Sequence, residues 1–395
     1  MGPNWCLLPP ELLQSIAERV TSLADHIRFR AVCHPWRSAS SPRPRHLPIQ
    51  LPWLMLPFKF DGNGDSTRLF YDPSASKTHR LYLPETLGVN ICGSSYGWLV
   101  LHNGKVTSLV NPITRATISL PPYTVPPSDL GIAPLNVENA LISFEDCCVY
   151  NSALCSTHNF SVEKAILTSN PMDAGCMVII NTDSLWELAF CKIGDERWTV
   201  IQYHDEGPTE WYDVCDLSYI NGVLYTLNPD GFVTMYNLIS PSKTELDCEP
   251  ISSNIYLVQG VDGDVLLIYY HGITYDDGIL GREIEHTVYK LSNDGEPTWI
   301  KVNDVGKNVF FVGSGCQAFS LSSDHLQLPS NAKCVFYDSR RMTEQKQNYY
   351  LSWYNHKIKL GKLDNETVTD ISGDLGSFQI NGCWLKSLWL TPSLL

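Results

Sequence analysis

Residues Gly93-Ser94-Ser95-Tyr96-Gly97 match the pattern G-x-S-x-G, in which a serine can act as a nucleophile. That chemistry requires a strand that turns sharply into a helix, so that the serine hydroxyl is exposed at the turn. Here the next residues are Trp98-Leu99-Val100-Leu101, which form a β-type run and not the start of a helix. The pattern therefore predicts a β-turn between two strands, and it does not predict a hydrolase.

Candidate metal ligands do not form a complete site. Asp61-Gly62-Asn63-Gly64-Asp65 resembles the start of a calcium-binding loop, but Ser66 stands where glycine is needed and Asp72 stands where glutamate closes the loop. The eleven histidines do not form H-E-x-x-H, and no C-x-x-C pair occurs among the thirteen cysteines. Most of these cysteines are predicted to be buried thiols. The sequence therefore predicts no catalytic residue, no metal and no cofactor.

The composition is that of an ordered globular protein, since 44% of the 395 residues are hydrophobic and 18% are charged. The formal net charge is −14, and it is unevenly distributed. Residues 1–50 hold six arginines, no lysine and three acidic residues, so they carry +3 and the remaining 345 residues carry −17. An acidic body argues against binding of nucleic acid. The basic end is expected either to contact an acidic protein partner or to be a solvated face without a partner.

The location of the protein is inferred from what the sequence lacks. It contains no run of eighteen apolar residues, so no membrane span is predicted. The N-terminus does not have a charged region followed by an apolar core, so secretion is not predicted. The odd number of cysteines and the adjacent pair Cys147-Cys148 argue against a disulfide framework. We therefore expect the cytoplasm, the nucleus or both.

From about residue 66 onward, short β-type runs alternate with turn residues, which is typical of an all-β sandwich or propeller. Residues 97–120 and 222–246 repeat the same order of strand, glycine turn, strand, asparagine turn and strand. A second repeat predicts that Trp198 and Trp299 open equivalent strands of two sheets. Repeats of this kind favour a propeller, and at about 40–50 residues per blade the chain has room for roughly six or seven degenerate blades.

Residues 5–40 are the segment with a sustained helical period of apolar residues. Pro9 and Pro10 mark the start of a first helix, and Asp25 is predicted to cap a second helix. Pro35 should break the second helix or start a third one, which would carry Trp36. So small a unit cannot bury all its apolar surface, and the surplus must therefore contact either the rest of the chain or a partner.

The order of these residues resembles an F-box, the module that docks on the Skp adaptor of cullin–RING ubiquitin ligases. The resemblance rests on Leu-Pro-x-Glu-Leu-Leu at residues 8–13 and on Val-Cys-x-x-Trp-Arg at residues 32–37. A helical hairpin that packs against the main domain is the alternative. Residues 164–201 and 220–233 are similar to plant F-box proteins whose C-terminal kelch-like domain has no assigned molecular function.

The predicted fold class is therefore a multidomain α and β protein. A three-helix F-box at residues 1–47, ending in a proline-rich linker, is followed by an all-β propeller-like domain at residues 48–395. The resemblance implies a non-catalytic substrate-recognition subunit of a Skp–cullin–F-box E3 ubiquitin ligase, which reaches cullin and the RING protein through Skp. The residues expected to contact Skp are Leu8, Pro9, Leu12, Leu13, Ile16, Val20, Ile27, Val32 and Trp36.

The unknown protein substrate is expected to bind loops of the β domain, because loops can vary without unfolding a sheet. The longest candidates are residues 121–160 and 271–286, and Tyr275 and Arg282 are the predicted anchors. Two other functions remain open. The chain could be a propeller-type enzyme or ligand-binding module with a structural helical cap, or it could bind Skp and act outside ubiquitination.

Overall fold

The computed structural model describes most of the chain. The described residues are 5–21, 23–42, 44, 46–47, 51–56, 66–74, 77–104, 106–123, 162–182, 188–201, 214–228, 231–238, 242–247, 255–271, 285–292, 295–313, 317–326, 334–345, 352–362, 368–370, 377–380 and 388–393. The segment 61–65, most of the two predicted substrate loops, Tyr275 and Arg282 lie outside these residues.

Three helices stand at the N-terminal end, after a 3₁₀ turn at Trp5–Leu7: α1 (Pro10–Ala17), α2 (Leu23–Ala31) and α3 (His34–Ser38). Pro10 lies in the first turn of α1, where its missing N–H removes no helical hydrogen bond. Pro35 lies in the first turn of α3, so the predicted restart of the helix at this proline is confirmed. No helix in the described ranges is both long enough and apolar enough to cross a membrane.

The prediction that Asp25 caps the second helix is wrong. The helix α2 begins two residues earlier, at Leu23, and Asp25 lies within its first turn. The Asp25 carboxylate instead forms an exposed ion pair with Arg28 at 2.6 Å. A negative charge in the first turn still interacts favourably with the helix dipole, so the residue suits the start of a helix without being its cap.

The helices share a small apolar core of their own, formed by Leu13, Ala17 and Phe29 with Trp36 packed against them. The rings of Phe29 and Trp36 lie 4.5 Å apart. No strand residue belongs to this cluster among the residues that the structure describes. Hydrogen bonds tie α2 to the chain that follows it, because Arg30 donates to the carbonyl of Ser40 and Arg37 donates to the carbonyl of Arg30. The helical unit (residues 5–47) is thus held together by its own side chains.

The strands described by the structure form six sheets. The first sheet contains β1 (Trp53–Met55), β2 (Thr67–Asp72), β3 (Lys77–Tyr82) and, from the end of the chain, β26 (Leu388–Leu390). The second contains β4 (Asn90–Ser95), β5 (Trp98–His102), β6 (Thr107–Val110) and β7 (Thr117–Ser119). The third contains β8 (Val162–Leu167), β9 (Met177–Thr182), β10 (Leu188–Lys192) and β11 (Thr199–Ile201).

The fourth sheet contains β12 (Asp216–Ile220), β13 (Val223–Leu227), β14 (Phe232–Asn237) and β15 (Ser242–Asp247). The fifth contains β16 (Ile255–Gln259), β17 (Val265–His271), β18 (Glu285–Ser292) and β19 (Thr298–Val302). The sixth contains β20 (Asn308–Val312), β21 (Phe319–Ser322), β22 (Cys334–Gln345), β23 (Ser352–Lys362), β24 (Val368–Asp370) and β25 (Ser377–Ile380). Sheets two to five are antiparallel meanders in chain order, whereas β20 and β22 of the sixth sheet are parallel.

In the first five sheets, one edge strand contacts an edge strand of the next sheet, and the strands of this series, which we call the inner strands, are β26, β4, β8, β12, β16 and β21. The C-terminal strand β26 pairs with β1, with Leu54 opposite Trp389. Trp389 then joins the sixth sheet to the first, because its Nε1 donates to the carbonyl of Val312 at 3.0 Å and its ring lies 5.4 Å from Phe311. The sheets therefore follow one another around a closed ring, which is the arrangement of a β-propeller.

The repeats predicted from the sequence are confirmed by the strands. The strands β5, β13 and β17 are each the second strand of a sheet and follow turns in which Gly97, Gly222 and Gly263 have positive φ. Trp198 immediately precedes β11 and Trp299 lies in β19, and both strands are the fourth of their sheets. The G-x-S-x-G segment forms the end of β4 and the turn into β5, as predicted.

Candidate partner-binding sites

The helix α1 carries apolar side chains on two sides. Leu13 and Ala17 are buried in the core of the helical unit. On the other side, Leu12 is 52% exposed and Ile16 is 41% exposed, and Pro9 just before the helix is exposed as well. We call Pro9, Leu12 and Ile16 the open face of α1. A surface helix normally turns its apolar residues inward, so an exposed apolar face indicates a site of contact with another molecule.

Further apolar residues extend this exposed surface at the start of the described chain. Trp5 and Leu7, in the 3₁₀ turn before α1, are 60% and 78% exposed. The turn is held in place by Trp36, whose Nε1 donates to the carbonyl of Trp5 at 3.1 Å. Trp5 and Leu7 were not among the predicted contact residues, although two apolar residues directly before the helix were a visible signal in the sequence.

The nine residues predicted to bind Skp divide into two groups. The exposed ones are Pro9, Leu12, Ile16 and Val32. The other five are buried or half-buried, namely Leu8, Leu13, Val20, Ile27 and Trp36. Leu13 lies within the core of the helical unit, and Leu8 and Trp36 pack against that core. Any direct contact with a partner is thus made mainly by the exposed group, and the buried or half-buried group holds those exposed residues in position.

The predicted basic surface of the helical unit is partly used inside the unit. Arg28 pairs with Asp25, and Arg30 and Arg37 both donate to backbone carbonyl groups. Arg43 and Arg45 lie outside the described residues. The apolar open face is therefore the better supported feature of this end of the molecule.

A second candidate site is a cavity of about 470 Å³ among the inner strands. It lies where β4 and β16 end, and β21 and β26 complete its wall. Its walls include Ser95, Gln259, Gln317, Phe319 and Trp389, and none of the described residues that line it is charged. Its volume lies within the range of about 300–1,000 Å³ that is usual for ligand pockets.

The polar side chains in the cavity wall are largely engaged with other protein groups. Gln317 bridges the ring, because it accepts a hydrogen bond from Ser95 at 3.0 Å and donates one to Ser218 on β12 at 3.3 Å. Ser94 donates to the carbonyl of Trp389. The serines of the G-x-S-x-G segment are thus structural hydrogen-bonding groups, and no histidine that could activate them is among the described residues that line the cavity.

Comparison with known proteins agrees with this architecture. The model of the KIB1-4 beta-propeller family matches residues 70–355, from β2 to β23. The chain belongs to this family. The resemblance to plant F-box proteins is confirmed by its relatives in Arabidopsis thaliana. F-box protein SKIP23 is 24% identical over 364 residues, which are 84% of this chain and 84% of that protein.

Two other relatives from Arabidopsis thaliana match shorter parts of the chain. The F-box/kelch-repeat protein At3g18720 is 25% identical over 283 residues, or 66% of this chain and 63% of that protein. F-box protein At3g56470 is 40% identical over 117 residues, or 29% of this chain and 30% of that protein. The family match thus assigns the fold of the β domain. These relatives show that the chain is similar to plant F-box proteins over up to 84% of its length.

Proposed function

We propose that the chain is the substrate-recognition subunit of a Skp–cullin–F-box E3 ubiquitin ligase. The segment of residues 1–47, which contains the helical unit, docks on a Skp-type adaptor as an F-box does, and through the adaptor it reaches cullin and the RING protein. The β domain, residues 48–395, holds a target protein. The names of the relatives support this assignment, since SKIP23 and the other two are F-box proteins.

The observation that carries the proposal is the open face of α1. Pro9, Leu12 and Ile16 are exposed, although the same helix buries Leu13 in a core made by the helical unit itself. A structural cap would turn its surplus apolar side chains toward the β domain, and this face is open instead. The arrangement therefore favours an external partner over the alternative of a ligand-binding module with a helical cap.

The β domain supplies the second half of the function. Each of the six sheets is one blade in this proposal, and β26 closes the ring by completing the first blade. The protein itself makes and breaks no bonds. It raises the effective concentration of a target beside a ubiquitin-loaded enzyme, which increases the rate of transfer without a catalytic group of its own. The cytoplasm and the nucleus both contain such complexes.

Affinity purification of the tagged full chain from plant cells, with the proteasome blocked, tests the proposal. We expect the Skp adaptor, cullin and RING protein to be recovered together with the tagged chain, and ubiquitinated proteins to accumulate with them. Failure to recover the adaptor would refute the assignment and favour the helical-cap alternative. Recovery of the adaptor without cullin would instead indicate an F-box protein that acts outside ubiquitination.

A further inference from the structure

The cavity among the inner strands has features that point to a class of occupant. The part of its wall that the structure describes is uncharged, and the polar side chains within it are largely satisfied by one another or by backbone groups. Ser320 adds to this pattern, because its hydroxyl donates to the carbonyl of Gln259 at 2.7 Å. Such a wall offers few free hydrogen-bonding groups to a ligand, so it selects an apolar group by shape.

Exposed apolar side chains stand on the rim of the same cavity. Tyr96 is 48% exposed at the β4–β5 turn, and Val261 is 38% exposed at the β16–β17 turn. The Tyr96 hydroxyl donates to the carbonyl of Thr168, at the start of the β8–β9 turn, and that turn also carries the exposed Met172. An apolar surface therefore continues beyond the cavity on the side of Tyr96. A small molecule enclosed by the cavity would leave this surface uncovered, whereas a protein segment that crosses the rim covers both.

Acidic groups lie beside both rim residues. Asp173 lies in the β8–β9 turn, and the carbonyl of Thr168 at the start of that turn accepts a hydrogen bond from the Tyr96 hydroxyl. Asp262 directly follows Val261, and neither carboxylate is in an ion pair within the described ranges. The nearby cation Lys307 is paired with Asp324 at 2.5 Å, so the charge around Asp262 stays negative. Residues 51–395 as a whole carry a formal charge of −17.

We propose that this cavity is the docking site for the target protein and that it takes a single apolar side chain from an extended segment with lysine or arginine on both sides. The apolar side chain enters between Gln317 and Phe319, and the basic flanks lie near Asp173 and Asp262. The inference rests on the proposed function, because it specifies which surface of the β domain receives the target. It places recognition on described inner turns and not on the predicted loops at residues 121–160 and 271–286.

A phage-displayed library of random dodecapeptides tests this assignment on the immobilised full chain. We expect enrichment of peptides that have one Leu, Ile, Met or Phe between Lys or Arg residues. Synthetic peptides from the enriched set then measure affinity by fluorescence anisotropy. Val261→Ala with Tyr96→Asn should weaken binding by at least about tenfold, because two rim anchors are lost. Asparagine is chosen for position 96 because it tolerates the positive φ of 52° that Tyr96 adopts there.

One control variant and one charge variant separate the apolar contribution to peptide binding from the electrostatic contribution. Ile300→Ala truncates an aliphatic side chain of 51% exposure on the outer strand β19, and it should leave peptide affinity unchanged. Asp173→Asn with Asp262→Asn should weaken binding by about threefold at low salt, and this loss should shrink as salt is added. Melting temperatures of all variants are measured beside the affinities, so that a fold defect is not counted as a binding defect.

Each other outcome has a defined meaning. Enriched peptides without an apolar anchor, or peptides that bind the rim variant as tightly as the natural chain, would overturn the proposal. No enrichment would overturn the proposal, and binding of the anionic aromatic dye 1-anilinonaphthalene-8-sulfonate that Val261→Ala abolishes would then assign the cavity to a small molecule. Adaptor binding is measured on the same preparations. Loss of adaptor binding while peptide binding is retained would refute the ligase role alone. Loss of peptide binding while adaptor binding is retained would refute the docking site alone.

Discussion

Lys164 on β8 and Asp216 on β12 form an ion pair between two neighbouring inner strands, and both side chains are almost completely buried. The second carboxylate oxygen of Asp216 accepts a hydrogen bond from the backbone N–H of Leu257 on β16 at 2.8 Å. One carboxylate thus links the inner strands of three successive sheets. A buried charge is tolerated only when it is paired and hydrogen-bonded, and this carboxylate is both.

Removal of the cation from this pair should strongly destabilise the β domain. Lys164→Ala leaves the charge of Asp216 buried without its counter-ion, and we expect the free energy of unfolding to fall by about 3–5 kcal/mol. Urea unfolding followed by tryptophan fluorescence measures the loss. The matched control is Lys307→Ala, because Lys307 and Asp324 are both more than half exposed, and an ion pair that is screened by solvent contributes little to stability. Similar losses in the two variants would contradict the role given to Asp216.

Trp198 lies directly before the fourth strand of its sheet and Trp299 lies within the fourth strand of another sheet, but the two side chains differ in burial, and this difference should appear in the cost of removing them. Trp198 is only 9% exposed, donates its Nε1–H to the carbonyl of Pro121 at 2.8 Å and contacts the ring of Tyr123. Trp299 is half-buried, and its Nε1 has no acceptor among the described residues. We expect Trp198→Ala to cost about 3–5 kcal/mol and Trp299→Ala about half as much.

Phenylalanine at the same two positions isolates the hydrogen bond. Trp198→Phe should cost about 1 kcal/mol beyond the change in packing, because the bond to Pro121 is lost. Trp299→Phe removes a donor that has no described acceptor, so it should be close to neutral. Thermal unfolding of the two variants in parallel checks this difference, and an equal cost at both positions would count against it.

Features set by local backbone chemistry could be predicted from the sequence. Pro10 and Pro35 mark the starts of α1 and α3 because proline fixes φ and lacks an N–H. Gly97 and Gly222 mark equivalent turns because those turns need positive φ. The wrong prediction for Asp25 has a related physical reason. A short polar side chain is suitable both as a cap and within the first turn, and only the neighbouring contacts decide between the two positions.

Features that depend on distant contacts could not be predicted in this way. The closure of the ring pairs Leu54 with Trp389, and the cavity wall brings Ser95 and Gln317 together from different sheets. No local pattern marks Gln317 as a residue that spans the inner strands. The open face of α1 was partly predictable, since the helical period grouped Leu12 and Ile16. Which apolar side of the helix stays open depends on how α2 and α3 pack.

The stability of the helical unit should depend on pH through His26. The side chain is 1% exposed, its Nε2 lies 2.9 Å from the carbonyl oxygen of Ser41, and its Nδ1 is buried without a hydrogen-bond partner among the described residues. Burial lowers the pKa of His26, and the nearby charges of Arg30 and His46 lower it further, whereas the contact with Ser41 opposes them. The unfolded state therefore binds a proton at a higher pH than the folded state does.

This order of pKa values fixes the direction of the effect. Stability is greatest above the unfolded pKa of about 6.5 and falls as the pH drops below it toward the lower pKa of the folded state. Limited proteolysis between residues 5 and 47 should accordingly be faster near pH 5.5 than near pH 7.5. His26→Gln keeps a donor for Ser41 and should remove most of this pH dependence, whereas the exposed His325→Gln should retain it. Unchanged pH dependence in His26→Gln would assign the effect to other groups.

The last prediction concerns the open face of α1. Pro9→Ala with Leu12→Ala removes two of its three exposed apolar groups without touching the buried Leu13. Truncation of an anchor at the centre of an interface costs about 2 kcal/mol or more, so the double variant should lose Skp adaptor binding by at least about thirtyfold. Isothermal titration with purified adaptor measures the loss.

The control for this variant is again Ile300→Ala, whose 51% exposure is close to the 52% of Leu12. It should bind the adaptor as the natural chain does. Ile300 lies on β19 in the fifth sheet, far along the chain from the helical unit, and it does not belong to the core of that unit. The β-domain melting transition should be unchanged in both variants, since the core of the helical unit includes no described strand residue. Full adaptor affinity in the Pro9, Leu12 variant would show that the adaptor binds elsewhere than the open face of α1.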